Sequence, residues 1–204
     1  MSSSSRPDQR KSTSLRERKP RKSGSYPKSG RNNRNIKSTK QTCAKSPWKI
    51  HCTIESKALG IAAQSIRAIV RKTLALVSDE IAVKHVSELH VMIINDAKMR
   101  EINFEFRKKN KPTDVLSFPQ YTPKEIRGDV KTSSSAGSYL GDLVISSETT
   151  IRQAKRFAVP LRAELTRLIV HGILHLIGYD HEGVPAREAQ AMRRREQALR
   201  DLLR

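Results

Sequence analysis

Three histidines in the last quarter of the chain have the residue type and the spacing of metal ligands. His171 and His175 stand four residues apart in an almost wholly apolar run, residues 168–177. On an α-helix this spacing puts both rings on one face, about 6 Å apart along the axis. A buried imidazole without a partner costs about 1–3 kcal/mol, so each ring must find a hydrogen-bond partner or a metal ion.

The residues that follow this run predict a third ligand. Gly178 can adopt the left-handed conformation that ends a helix. Tyr179 and Asp180 would then carry the chain round and bring His181 back towards the same ion. Three nitrogen ligands leave one tetrahedral position for water, which is the arrangement of a catalytic zinc site. We therefore expect one Zn²⁺ ion, although nitrogen ligands also suit nickel and copper.

The complete spacing, His-x3-His-x2-Gly-x2-His, equals that of the metzincin zinc peptidases. An isolated histidine pair at helical spacing would be better explained as satisfied core histidines. The full pattern favours a metal site instead. The general-base glutamate of the metzincins is Gly172 in this chain, so the pattern disfavours ordinary peptide hydrolysis.

The elements that must position these histidines can be predicted from hydrophobic periodicity and capping residues. Helix-initiating prolines at Pro160 and Pro185 open the histidine helix and the last helix. Strands are predicted over residues 48–54, 89–94, 115–118 and 140–145. Helices are predicted over residues 58–77, 148–157, 160–177 and 185–203, and a further helix is predicted from its cap at Asn95-Asp96 to residue 106. A Pro-, Gly- and Ser-rich loop spans roughly residues 120–138. This order predicts one α+β domain over residues 48–204, a small mixed four-stranded sheet covered by about five helices.

Charge is concentrated in the first quarter of the chain. The 204 residues carry a formal net charge of +20, and residues 1–47 hold 14 basic and 2 acidic residues, net +12. With so few apolar side chains, residues 1–47 are expected to form a disordered basic tail that could tether the protein to RNA. An organellar transit peptide is an alternative, but the prolines and glycines between Pro7 and Gly30 would break its amphipathic helix.

Two cysteines, Cys43 and Cys52, provide no disulfide framework, which favours a reducing compartment. No apolar stretch approaches the roughly 18 residues that cross a bilayer. No secretory signal is evident at the N-terminus either. The expectation is a cytoplasmic protein with no membrane partner.

Four segments of the chain resemble the YbeY family of metal-dependent endoribonucleases and ribosomal RNA maturation factors. The longest is the histidine segment itself, residues 171–181. Residues 102–107 and 111–119 are similar to the family's helix, its functional arginine and the strand that follows. Residues 140–146 resemble its next strand. The resemblance runs from about Trp48 to the C-terminus and leaves the basic tail outside it.

The resemblance implies hydrolysis of single-stranded RNA phosphodiesters. It implies ribosomal RNA and the small ribosomal subunit as partners, with a role in maturing the 3′ end of small-subunit ribosomal RNA and in ribosome quality control. It carries metal ligation onto His171, His175 and His181, and a catalytic role onto Arg107. A guanidinium can hold a phosphate bidentately and stabilise charge as it develops. Without the resemblance, Arg107 would be interpreted as one basic residue of a solvated run.

Other residues are weaker candidates. Lys108, Lys109 and Lys111 are expected to bind the RNA backbone. Asp180 could orient a ligand histidine or simply form the turn. For Ser117 and Asp142, both a structural and a functional interpretation stay open. Residues 193–195, all arginine, are expected on a solvated helix face.

Three classes of function follow from these observations. The first is an RNA-cleaving enzyme. The second is a metallopeptidase, which Gly172 argues against. The third is a ribosome-associated assembly protein in which RNA binding matters and cleavage is weak; a cleavage assay distinguishes it from the first.

Overall fold

The computed structural model describes residues 48–131 and 138–204. The predicted basic tail and six residues of the predicted loop lie outside the described residues, so the proposed domain division at residue 47 stays a prediction. The strands are β1 (Lys49–Ile54), β2 (Glu88–Ile94), β3 (Val115–Pro119) and β4 (Tyr139–Ser146). The helices are α1 (Ala63–Val77), α2 (Asp96–Arg107), α3 (Pro123–Ile126), α4 (Ser147–Arg156), α5 (Leu161–Leu176) and α6 (Ala186–Leu202).

The four strands form one mixed sheet in the order β1-β2-β4-β3. β2 pairs in parallel with both β1 and β4, and β3 pairs antiparallel with β4, with Leu116 opposite Val144. β3 is therefore an edge strand of the sheet. This arrangement confirms the predicted α+β fold and its small mixed sheet.

The two faces of the sheet bury different amounts of apolar surface. The larger core lies between the sheet and α1 and α5, where alternate residues of β2 (Leu89, Val91 and Ile93) are fully buried. A smaller cluster packs under α2 on the opposite face, where Met99 meets Leu116 and Val144. Alternation along each strand thus supplies apolar residues to both faces. The large core fixes α5, the helix that carries two of the candidate ligands.

The first predicted helix begins later than its hydrophobic pattern suggested. Lys57–Leu59 forms a 3-10 turn that ends at Gly60, whose φ of +62° lies in the left-handed region. The α-helix starts only at Ala63. Apolar spacing alone could not detect this break, because Leu59 is buried like the residues of the helix that follows.

A short helix interrupts the region predicted as a loop. Thr122 caps α3, and the Glu125 carboxylate accepts a hydrogen bond from the Thr122 backbone N–H at 2.9 Å, which completes a capping box at the start of the helix. The loop prediction was wrong for this segment, where the signature Thr-x-x-Glu is present in the sequence. Among the described residues, no helix is long and apolar enough to span a membrane.

Candidate metal centre

Helix α5 presents His171 and His175 side by side at the end of a buried segment. Its neighbours Ile173 and Leu174 are fully buried, which fixes the rotation of the helix against the sheet. The Nε2 atoms of the two histidines lie 3.2 Å apart. Helical spacing and a buried apolar face thus bring two ring nitrogens to one point.

The turn after α5 brings in the third imidazole. Gly178 has a φ of +86°, and a Cβ at this position would lie 2.9 Å from the Cα of Pro123. Arg127 donates to the Gly178 carbonyl at 2.5 Å, so the segment around α3 anchors the turn. The Nε2 of His181 consequently lies 3.4 Å from that of His171.

The three histidines fit a single divalent ion. One ligand atom from each lies within 4.8 Å of the others. Two nitrogens bound at 2.0–2.1 Å to a tetrahedral ion would stand about 3.3–3.4 Å apart, close to the observed 3.2 and 3.4 Å. Burial and the neighbouring imidazoles of His171 and His181 lower the pKa of His175 to about 4. His175 is therefore neutral near pH 7, which is the form that binds a metal.

Glu196 of α6 contacts His171 at the ring nitrogen that does not face the other two histidines. The Nδ1 of His171 lies 3.0 Å from Oε2 of Glu196. Because a carboxylate accepts, this contact favours a proton on Nδ1 and directs the Nε2 lone pair towards the other two rings. Burial opposes ionisation of Glu196, but the hydrogen bond with His171 and the charges of Arg167 and Arg200 hold its pKa below the ordinary value.

Sequence reasoning missed Glu196, although a signal for it exists. The apolar stripe of α6 runs through Ala189, Met192 and Leu199, all buried. Glu196 occupies the position in this stripe, four residues after Met192, where an apolar residue is expected. An acidic residue on an apolar face must meet a partner in the folded protein, and here that partner is a candidate metal ligand.

Asp180 forms the turn itself. Its Oδ1 accepts from the backbone N–H groups of His181 at 2.7 Å and Glu182 at 3.0 Å. The same oxygen is 3.8 Å from Nδ1 of His175, too far for a hydrogen bond. The carboxylate thus lies near His175 without a hydrogen bond to it, and an orienting role for Asp180 stays a prediction.

Arg107 lines the same cleft as the three histidines. The cleft has a volume of about 830 Å³. Arg107 is the last residue of α2, and its guanidinium donates to the carboxylate of Glu182 on the opposite side. The two side chains are 37% and 57% exposed, so the pair is weak and a phosphate could replace the carboxylate at small cost. Lys108, Lys109 and Lys111 are exposed and are not among the cleft-lining residues.

The cleft is built around the free edge of β3. All five residues of β3 line it, and Ser117 donates to the carbonyl of Gly172 on α5 at 3.2 Å. A Cβ at position 172 would lie 2.0 Å from Cδ1 of Leu143 in β4. The missing side chain lets α5 approach the sheet closely, and this requirement explains why a glycine follows His171.

A network of charged and polar side chains lines the cleft together with the histidines. Arg167 of α5 donates to Glu164 at 2.7 Å and to Asp114, just before β3, at 3.3 Å. Gln153 of α4 donates to the same Asp114 oxygen at 3.1 Å. Burial opposes ionisation of Asp114, but the bond from Gln153 and the charge of Arg167 keep its pKa below the ordinary value. The network therefore joins three elements with an ionised carboxylate at its centre.

The remaining weak candidates lie away from the cleft. Asp142 accepts from Tyr139 at 2.5 Å and lies 3.3 Å from His90, on the opposite side of the sheet from α5. The arginines at 193 and 194 are exposed as predicted. Arg195 differs, because it forms an ion pair with Glu80 and donates to the Leu76 carbonyl at 2.9 Å. The expectation of a solvated face was wrong for Arg195.

Known proteins resemble this chain over most of the described residues. A family model described as endoribonuclease YbeY matches residues 51–204. An endoribonuclease YbeY of Bartonella bacilliformis is 39% identical over 134 residues, which cover 65% of this chain and 80% of that protein. An endoribonuclease YbeY of Aquifex aeolicus is 50% identical over 97 residues, 47% of this chain and 57% of that protein.

A solved structure supports the fold. The solution structure of TM1509 from Thermotoga maritima matches 76% of this chain and 89% of that chain, with 23% sequence identity and a TM-score of 0.52. The family model covers well over half of the chain, including the three histidines and Arg107. The resemblance inferred from the motifs is thereby confirmed, and the chain belongs to the YbeY family.

Proposed function

We propose that this chain is a metal-dependent endoribonuclease that hydrolyses phosphodiester bonds in single-stranded RNA. One observation carries the proposal: three imidazole nitrogens converge in a cleft that Arg107 also lines. Relatives at 39% and 50% identity are named endoribonucleases. A Lewis-acid site beside a residue suited to binding phosphate is one arrangement that can catalyse phosphodiester hydrolysis.

In this mechanism, His171, His175 and His181 would hold one Zn²⁺ ion. When bound, the ion supplies a Lewis acid that polarises a phosphate oxygen and lowers the pKa of water. Glu196 keeps the proton of His171 on Nδ1. Arg107 leaves Glu182 when RNA enters and binds the phosphate, where it stabilises the charge that grows on the non-bridging oxygens.

The lysines beyond α2 extend the phosphate-binding surface. Lys108, Lys109 and Lys111 follow Arg107 in the sequence and are exposed. Because they lie outside the cleft, they would contact phosphates of flanking nucleotides. Their contribution should be electrostatic and should weaken as salt concentration rises.

The biological substrate that we propose is ribosomal RNA of the small subunit, cut during maturation of its 3′ end and in ribosome quality control. The protein would act in the cytoplasm on the small ribosomal subunit. The basic segment of residues 1–47 would hold the protein on RNA as a separate unit from residues 48–204. Deleting residues 1–47 should reduce the salt dependence of RNA binding; an unchanged slope would remove this electrostatic role.

An RNA cleavage assay with His171→Ala and Arg107→Ala tests the proposed activity. His171→Ala should lose metal and cut no faster than background, and Arg107→Ala should cut roughly 10²- to 10³-fold more slowly. Arg100→Ala, on the exposed face of the same helix, is the matched control and should cut like the parent. Melting temperatures establish that the variants are equally folded, and binding to RNA should persist in all of them.

Two outcomes would contradict the proposal. Equal cutting by the parent and all variants would identify a contaminating nuclease. RNA binding without cutting by the metal-loaded parent would favour an assembly protein instead. Elemental analysis of protein purified without chelators should find one zinc per chain, and His171→Ala should lower that ratio.

A further inference from the structure

An exposed aromatic pair lies on the rim of the cleft. Phe106, next to Arg107 at the end of α2, is 60% exposed. Its ring contacts that of Phe118 on β3, with centroids 4.9 Å apart and planes inclined by 67°. Both phenylalanines line the cleft that contains the three histidines. A large apolar ring in a charged cleft indicates a binding role more than a packing role.

Position distinguishes Phe106 from other exposed aromatic residues. Phe104 on the same helix is 54% exposed and Phe157 equally so, but neither lines the cleft. Phe118 packs against the smaller core cluster, which holds it in place. Phe106 is therefore an exposed ring on a fixed support beside the candidate catalytic groups.

The exposure of Phe106 leaves part of its ring free. In an edge-to-face contact, one ring covers at most a single face of the other, and Phe106, which is 60% exposed, can still be reached by a third ring. Arg107 provides a phosphate-binding group directly beside Phe106 in the sequence. A flat ring beside a cation matches a nucleotide, whose base stacks on aromatic groups while its phosphate binds arginine.

We propose that Phe106, supported by Phe118, stacks an unpaired nucleobase of the RNA next to the phosphate that Arg107 binds. This inference rests on the proposed function and names the feature of the substrate that the site selects. A base in a duplex is already stacked and paired, so only a single strand can offer it to Phe106. Positive charge at Lys108 and Lys109 favours RNA over an apolar protein segment as the partner of this surface.

Phe106→Leu tests the proposal, with Phe104→Leu as the matched control. The probe is a short single-stranded RNA in which the fluorescent base 2-aminopurine is moved along the strand. The full-length, metal-loaded parent should quench one position, because stacking quenches this base, and should not quench it in a duplex. Phe106→Leu should abolish the quenching and weaken binding roughly 5- to 150-fold, as expected for one stacked base at about 1–3 kcal/mol.

Two further measurements make the result specific. Phe106→Tyr, which keeps the ring, should restore quenching and affinity. An RNA that lacks the base at the quenched position should bind the parent and Phe106→Leu equally. Equal losses for Phe104→Leu and Phe106→Leu, or unchanged quenching in Phe106→Leu, would overturn the proposal.

The same experiment separates this inference from the proposed function. If the parent quenches the base but never cuts the strand, the stacking proposal stands and the nuclease proposal fails. If the parent cuts the strand and Phe106→Leu binds and cuts it equally well, the nuclease proposal stands and the stacking proposal fails. A parent that neither binds nor quenches any single strand would overturn the stacking site, and the aromatic rim would then suit a protein partner.

Discussion

The two walls of the cleft are built in opposite ways. On the α5 wall, His171 is mostly buried and contacts Glu196, and Arg167 joins Glu164 and Asp114 in a network with little exposure. On the α2 wall, Arg107 makes an ion pair with an exposed carboxylate, and Phe106 projects towards solvent. One wall is fixed by buried polar contacts between distant elements, and the other holds its groups loosely.

This difference assigns separate tasks to the walls. Metal ligands must be held within a few tenths of an ångström, and the contact of His171 with the half-buried Glu196 and the anchored turn at Gly178 can hold the candidate ligands so. Groups that bind a flexible strand need access and room to adjust. Substitutions in the α5 wall should therefore change stability and metal affinity, and those in the α2 wall should change RNA binding or cleavage with little effect on stability or metal affinity.

The largest effect is expected at Arg167. Arg167→Met keeps an unbranched apolar stem but leaves the buried Glu164 without its cation and removes one donor from Asp114. Removing one partner of a buried pair costs about 3–5 kcal/mol, so the free energy of unfolding measured with urea should fall by that amount. Arg162→Met, on an exposed position of the same helix, should cost less than about 0.5 kcal/mol. Similar values for the two variants would remove the distinction between the walls.

An intermediate effect is expected at Glu196. Glu196→Ala removes the acceptor at His171 Nδ1, so zinc affinity measured by chelator competition should fall roughly 10- to 100-fold. Glu196→Gln, which keeps an acceptor, should lose less. Glu188→Ala, exposed on the same helix, should bind zinc like the parent. If Glu196→Ala kept full zinc affinity, Glu196 would have only a packing role.

The smallest effect is expected at Glu182. Glu182→Gln frees the guanidinium of Arg107 from its carboxylate partner, so single-stranded RNA should bind more tightly, by roughly 1.5- to 5-fold. Glu105→Gln makes the same change of charge on an exposed position outside the cleft. Unfolding free energies should be unchanged in both. Weaker RNA binding by Glu182→Gln would mean that the carboxylate itself contacts the RNA.

Local sequence patterns predicted the parts of the molecule that depend on short distances along the chain. The spacing of His171 and His175 on a helix, and the glycine turn before His181, require only ten residues and known backbone geometry. The strands, the cap at Asn95 and the prolines that open α5 and α6 are likewise local features. These patterns predicted both the fold and the convergence of the three rings.

Contacts between distant residues could not be predicted in this way. Glu196 meets His171 only because α6 packs beside α5, and 25 residues separate the two in the sequence. Phe106 meets Phe118 through the docking of α2 on the sheet. The expectation for Arg195 was wrong for the same reason, since its partner Glu80 lies 115 residues away. The charge pattern placed Arg195 on an exposed face because it contains no information on which helices meet.

Gly172 limits how this scaffold could be redesigned. A peptidase made by adding the glutamate of the metzincin pattern would need a side chain at position 172, where Leu143 occupies the space. The helix would have to move outward, and His171 and His175 would move with it. A protein engineer would therefore have to shorten Leu143 first, or bring the carboxylate from the neighbouring strand, where Ser117 faces the same gap. Close helix–sheet packing thus opposes conversion to peptide chemistry by a single substitution.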